Sequence, residues 1–198
     1  MKASIREAAK SANAMEEVAK NTEKSVETVE ENMAMIERAT TNQMRAYLCV
    51  EPCEESVIQN QPNLKFQGLP ILLNAGNTPA YKIKHKIRAK VLPVPVDKEF
   101  KFDLPKDFTG GGVLGPGRGR TMNGLADDFE PEEEVGGIIH ASGGKAFCIW
   151  GIVKYEDISG KKRTTKFYQI ITWEARVIDG ETKMLPRTTY PEQHNEAD

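Results

Sequence analysis

The side chains in this 198-residue chain that could bear chemistry are three histidines, three cysteines, a run of acids, a glycine-rich stretch and one row of cations. General acid–base work needs a His or carboxylate held within hydrogen-bond reach of a partner, and neither His85 nor His140 has a companion at a spacing that forces contact. His85 falls on the apolar parity of a strand-like stretch and reads as a satisfied core histidine. A metal ligand there would need a second His or Cys at ligand spacing, and none is present. Cys49, Cys53 and Cys148 are too few and too oddly numbered for a disulfide framework. Four extended residues put Cys49 and Cys53 ~13 Å apart, beyond disulfide reach. Reduced thiols in a cytosol-facing protein are therefore expected. The acids Asp127, Asp128, Glu130, Glu132, Glu133 and Glu134 look like a cation site but fit a helix start better. Pro131 suits a first helical position, acids in the first turn complement the helix dipole, and Gly143-Gly144 provides a stop.

The glycine-rich stretch T-G-G-G-V-L-G-P-G-R-G-R, residues 109–120, invites comparison with a phosphate-cradling loop. A Walker loop needs a Gly-Lys followed by Ser or Thr, and neither Gly144-Lys145-Ala146 nor Gly160-Lys161-Lys162 supplies one. Residues 115–120 do not follow an apolar strand and open a helix, so the dinucleotide pattern fails too. The stretch reads as a mobile loop with a Leu114-Gly115-Pro116-Gly117 turn, leaving Arg118 and Arg120 as candidate anion ligands. The cation row is sharper: Lys82, Lys84, Lys86, Arg88 and Lys90 alternate with Tyr81, Ile83, His85, Ile87, Ala89 and Val91. That is the period of a half-buried strand. Its charged face is a ribbon ~27 Å long, suited to a phosphate-rich partner or an anionic lipid surface. The same lysines would also keep an edge strand from pairing with another chain. No aromatic is interleaved on that face, which argues against single-stranded nucleic acid. The formal net charge of -2 gives no global nucleic-acid signal either. No catalytic, cofactor or metal constellation emerges, so the expectation is a non-enzyme with no cofactor and no small-molecule substrate.

A chain that changes character twice must place these residues. In residues 1–45, Ile5, Ala8, Ala12, Met15, Ala19, Thr22, Val26, Val29, Met33, Ile36, Thr40 and Gln43 recur at alternating spacings of three and four. Their mean spacing is that of a left-handed coiled coil, and the absence of Gly and Pro agrees with it. A helical stalk ~60 Å long is predicted. Its candidate helix–helix interface is Met15, Val26, Val29, Met33 and Ile36; small residues elsewhere in the seam predict a weak dimer. Glu16, Glu23, Glu30 and Glu37 repeat at e positions but face Ser11, Val18, Ser25, Asn32 and Ala39 at g, so no ion pairs select a parallel homodimer. The Glu row is then a solvated face, a site for a partner helix carrying Lys or Arg, or a surface folded back on the next domain.

Residues 46–178 are rich in β-branched and aromatic residues and read as an immunoglobulin-like β-sandwich of about 7–8 strands with a short helix near 131–142. Tyr47 to Val50 suit a first strand, residues 54–63 a loop or short edge strand, and Gly68 a bulge between Leu64/Phe66 and Leu69/Ile71/Leu73. Around the corner N-A-G-N-T-P, Gly76 offers positive φ and Asn74 and Asn77 offer turn-capping side chains. A short strand is expected near 99–104. The hairpin 146–173 is expected to supply the core through Phe147, Ile149, Trp150, Val153, Tyr155, Phe167, Ile170 and Ile171. Its first strand is apolar on both parities, as a central strand is. Residues 179–198 read as a turn at Asp179-Gly180 and a disordered polar tail. No run approaches the ~20 apolar residues of a membrane helix, and the N-terminus lacks the apolar centre of a secretion signal, so the chain reads as soluble.

Three segments, Q-M-R-A-Y-L (43–48), N-A-G-N-T-P-A-Y (74–81) and W-G-I-V-K-Y-E-D-I-S-G-K-K-R-T-T-K-F (150–167), resemble a family of uncharacterised bacterial membrane-anchored proteins. In that family one or two transmembrane helices lead through a helical stalk into a small β-rich domain. The resemblance implies membrane association through a segment missing from this chain, and a cytoplasmic location if the chain is complete. It implies no activity. Self-association or a partner helix at the stalk, with membrane proximity, is the partner expectation.

Overall fold

The structure is a computed structural model and describes residues 2–52, 56–59 and 63–197. The chain divides into two compact units, Met1–Gln43 and Met44–Asp198. The first is one helix, α1, Lys2–Gln43, whose 42 residues span ~63 Å. Its interior hydroxyls return to their own helix, as in Thr22, Ser25 and Thr28, each donating to the carbonyl four residues earlier. The five large seam residues are all 52–71% exposed. The helical expectation is met.

The second unit is mainly β, built of open antiparallel sheets with one short helix. The long strands are β5 (Tyr81–Pro93), β9 (Lys145–Glu156), β10 (Lys162–Ile178) and β11 (Glu181–Thr189). They form the largest sheet in the order β11-β10-β9-β5, with β12 (Glu196–Ala197) pairing on β10. A second sheet runs β1 (Leu48–Glu51), β4 (Ile71–Asn74), β6 (Gly119–Thr121). A third runs β2 (Ser56–Gln59), β3 (Asn63–Gly68), β7 (Gly124–Leu125), with β8 (Glu130–Pro131) also on β3. Helix α2 is Glu132–His140.

Strand β9 sits between β5 and β10, as its two-sided apolar pattern predicts. On one face, Phe147, Ile149, Val153 and Tyr155 join Ile83, Phe167, Ile171 and Trp173 in a core completed by Leu48, Phe66, Leu72 and, from α2, Val135 and Ile138. The Phe66 ring lies 5.5 Å from both Phe147 and Trp173. Each such side chain contributes about 1.5–3 kcal/mol by burial, so this cluster dominates the stability of the unit. On the opposite face Cys148, Trp150 and Tyr168 are covered by Phe100, Phe102 and Leu104. Phe100 meets Trp150 edge-on at 5.7 Å, and the Trp150 indole N–H donates to the Asp103 carbonyl. The expected strand near 99–104 is therefore absent. The segment carries no ladder and serves as a cover for Trp150.

The corner after β4 is built around Asn74, which is fully buried. Its Nδ2 donates to the carbonyls of Thr78 and Leu114 (2.8 and 3.0 Å), and its Oδ1 accepts from the N–H groups of Gly76 and Tyr47 (3.0 and 3.3 Å). Gly76 is required for close approach and not for positive φ: a Cβ there would lie 2.4 Å from the Arg45 carbonyl oxygen and the Tyr47 nitrogen. Tyr155 donates its hydroxyl to the Ala46 carbonyl and accepts from the Leu48 N–H, and Thr165 donates to the Leu48 carbonyl. The three segments that carry the family resemblance thus meet at one junction, where the chain leaves residue 44 and becomes β1.

Several other expectations change. Leu69 and Pro70 lie between strands of two different sheets, so a sheet switch stands where a bulge at Gly68 was expected. Residues 56–59 form the edge strand β2. Pro131 is the N-cap of α2, and the helix ends at Ala141 in the left-handed region (φ 52), ahead of the Gly143-Gly144 stop. Asp179 and Gly180, both at positive φ, make a two-residue hairpin turn from β10 to β11. Residues 181–189 consequently continue the sheet in nine register pairs, and with β12 they give ordered strand within the tail expected to be disordered. Tail polarity misled because residues 175–184, at the turn end of this ribbon, are all exposed. Cys49 and Cys148 are free thiols, and Cys53 lies outside the described residues.

Candidate functional site

Strand β5 lies at the end of its sheet, and its five cations divide into two groups. Arg88 donates to Asp127 at 2.8 Å and pairs with Asp103, and Lys90 lies 3.7 Å from Asp127. The Asp127 hydrogen bond raises the Arg88 pKa further. Those two positions are locally neutralised beside the 94–104 cover.

Lys82, Lys84 and Lys86 lie beyond the cover. The strand register shifts between Tyr81 and Lys84, with Lys82 at φ 50, a one-residue bulge, and Lys82 and Lys84 are both exposed on either side of buried Ile83. Lys84 then stands directly opposite Lys154 of β9, which stands opposite Thr164 of β10, while Lys162 faces Glu156. Like charges directly opposite are destabilising, and among the described residues none of Lys84, Lys154 and Lys162 makes an ion pair. Lys82 pairs with Glu156 at 2.8 Å. These side chains line a groove of about 680 Å³, into which Phe108 projects. Its ring lies 4.5 Å from Lys86 Nζ and 5.3 Å from Lys154 Nζ, and Lys86 also donates to the Lys106 carbonyl at 2.6 Å. The arrangement is a preformed cationic surface with one aromatic wall.

Arg118 and Arg120, the other candidate anion ligands, are not among the groove residues. Arg120 Nη1 donates to the Gly111 carbonyl at 2.7 Å, and Arg118 is an exposed residue whose carbonyl accepts from Asn74 N–H. The glycine-rich loop is tied down by backbone bonds: Leu114 exchanges both with Ala80, Ile83 N–H donates to Gly112, and Gly117 N–H donates to Asn74. It shields the free edge of β5. The turn expected over Leu114 to Gly117 forms one residue later, from Gly115 to Arg118, where Arg118 N–H donates to the Gly115 carbonyl.

His85 is half-buried, with Nε2 3.2 Å from the Thr109 hydroxyl and Nδ1 buried without a partner. It is only partly satisfied. Burial, reinforced by Arg120, lowers its pKa. His140 is exposed at the end of α2. Among the described residues no group of three or more His, Cys, Asp or Glu side chains is placed to hold a metal ion. Asp157 and Arg163 form a buried pair at 2.9 Å, and Asp157 also accepts from Ser159 and Lys161. Burial alone would raise the Asp157 pKa, but these bonds hold it below the usual carboxylate range. That pair locks the β9–β10 turn and is structural.

Sequence reading finds Lys82, Lys84 and Lys86 but misses Lys154, Lys162 and Phe108. The two lysines share the outward parity of the β9–β10 hairpin, so aligning that parity with β5 would have found them. Phe108 reaches the face from a loop, and no periodicity signals it. Searches against protein-family models, curated proteins and solved structures return no match for the chain.

Proposed function

We propose that the chain is a non-catalytic interaction module. A helical stalk associates with a second copy as a coiled coil, and each stalk carries a β-domain read as an immunoglobulin-like sandwich. The observation that carries this reading is the exposed seam of α1. Met15, Val26, Val29, Met33 and Ile36 recur at coiled-coil spacing with more than half of each side chain in water. Most helical stability in proteins comes from packing of an apolar face, and a partner along that stripe would supply it to this 42-residue helix. The family resemblance supports a stalk-borne domain close to a bacterial membrane, and its motif residues serve turns and junctions, consistent with a role without catalysis. Light scattering on the full chain tests the reading: a mass above 22.1 kDa at micromolar concentration is expected. A single-chain mass at high micromolar concentration refutes it.

The basic groove favours a second reading, an anion-binding surface formed by Lys82, Lys84, Lys86, Lys154 and Lys162. Among the described residues Lys84, Lys154 and Lys162 make no ion pair, so a bound phosphate-like group would relieve the Lys84–Lys154 repulsion as it binds. Thermal unfolding with inositol hexakisphosphate tests it: an upward shift that salt erases is expected, and no shift at low salt removes the reading.

A further inference from the structure

Beside the groove lies a depression of about 400 Å³ that shares Lys82 and Glu156 with it and is walled by Tyr81, Val113 and Ile158. Val113 is 52% exposed and Ile158 54%. Neither apolar side chain is explained by its own loop. In 109–114 the buried residue is Leu114, which pairs with Ala80, while Val113 points away. In the β9–β10 turn the conformation is fixed by the Asp157 carboxylate with Ser159, Lys161 and Arg163, and the Ile158 side chain takes no part. Two segments distant in sequence therefore bring solvent-facing aliphatic side chains to one rim, next to exposed Lys82, Lys84, Lys154, Lys161 and Lys162. The acids lining the rim are Glu156, paired with Lys82, and Asp157, paired with Arg163.

We propose that this end of the β-domain docks on an anionic lipid surface, with Val113 and Ile158 entering the acyl boundary and the surrounding lysines lying among the headgroups. This rests on the anion-binding reading and adds the apolar wedge to it. A soluble polyanion has no use for the aliphatic rim and a neutral bilayer none for the lysines; the surface of an anionic bilayer offers both at adjacent depths. Both loops are held by backbone hydrogen bonds, so little ordering is needed on docking.

Co-sedimentation of the full chain with vesicles tests the proposal, using phosphatidylcholine alone and phosphatidylcholine with one-quarter phosphatidylglycerol. Binding to the mixed vesicles only, lost at high salt, is expected. Lys84→Gln with Lys154→Gln should weaken partitioning by about 30-fold, at about fivefold per lysine. Val113→Ser with Ile158→Ser should weaken it by about tenfold while leaving the inositol hexakisphosphate shift unchanged. All four positions are exposed, and matching circular dichroism spectra verify the fold. Unchanged vesicle binding by the double serine variant overturns the wedge while the anion reading stands. So does binding of inositol hexakisphosphate without binding to mixed vesicles. Binding to neither overturns both.

Discussion

Asn74→Ala should cost the β-domain about 3–4 kcal/mol, because one buried amide satisfies four backbone groups. Removing it takes the acceptor from Gly76 and Tyr47 N–H and the donor from the Thr78 and Leu114 carbonyls. Leu114 keeps its bond from Ala80 N–H, so its loss is small. The other three groups lose their Asn74 partner at about 1 kcal/mol each, with a further fraction for the Leu114 carbonyl and the cavity. Domain stabilities are about 5–15 kcal/mol, so this is a large share. In urea, with a slope near 2 kcal/mol/M, the midpoint should fall by about 2 M. Asn74→Asp discriminates the mechanism: it keeps the acceptor but aims a carboxylate at two carbonyls. Its pKa must rise in the fold, so the variant should gain stability as pH falls from neutral toward the carboxylate range, whereas the alanine variant should not. A midpoint shift below about 0.5 M for Asn74→Ala, or an aspartate variant no more pH-dependent than wild type, would show that the corner is not organised by this side chain.

Gly151→Ala should destabilise by several kcal/mol in the same assay, since a Cβ would lie 2.4 Å from the Lys86 carbonyl oxygen and 2.6 Å from the Phe167 ring; Gly160→Ala meets no atom and should lose only the cost of its positive φ, about 1 kcal/mol. Asp157→Ala should cost about 3–5 kcal/mol at pH 7 by leaving Arg163 buried and unpaired. Because the folded Asp157 pKa is depressed, its contribution is complete above the ordinary carboxylate range and lost as pH falls through the folded value, so the wild-type and variant melting curves should converge in acid. The Cys148 thiol, pushed up to about 11 by burial and only partly offset by Tyr168, should resist alkylation at pH 8 until urea unfolds the domain. Labelling of Cys148 in native conditions at the unfolded rate would contradict that.

The β9–β10 hairpin and α1 are legible because their periods are long and uninterrupted: every core residue named in that hairpin is buried except Ile170, which is half-buried against Trp150 and Tyr168. The change of sheet at Leu69 and Pro70 is not legible, because a phase change in an apolar run looks the same for a bulge and for a new strand. Leu72 and Asn74 turn inward there, and Leu73 stays half-buried. The strand expected at 99–104 failed for a related reason: Phe100, Phe102 and Leu104 alternate like a strand, yet they cover Trp150 without pairing. The groove is half legible. Its β5 lysines follow from alternation, but which β9 residue faces Lys84 depends on cross-strand register, which is invisible in one strand alone.

The proposed self-association through the seam is tested most directly by oxidative cross-linking of the 198-residue chain in a background with its native cysteines replaced by serine. Ile36→Cys places a thiol on the seam, and Glu31→Cys places one on the opposite side of α1. In a parallel, in-register coiled coil the position-36 thiols face each other, so rapid formation of a species of about twice 22.1 kDa is expected for Ile36→Cys and not for Glu31→Cys. Equal, slow cross-linking at both positions would contradict association through the seam.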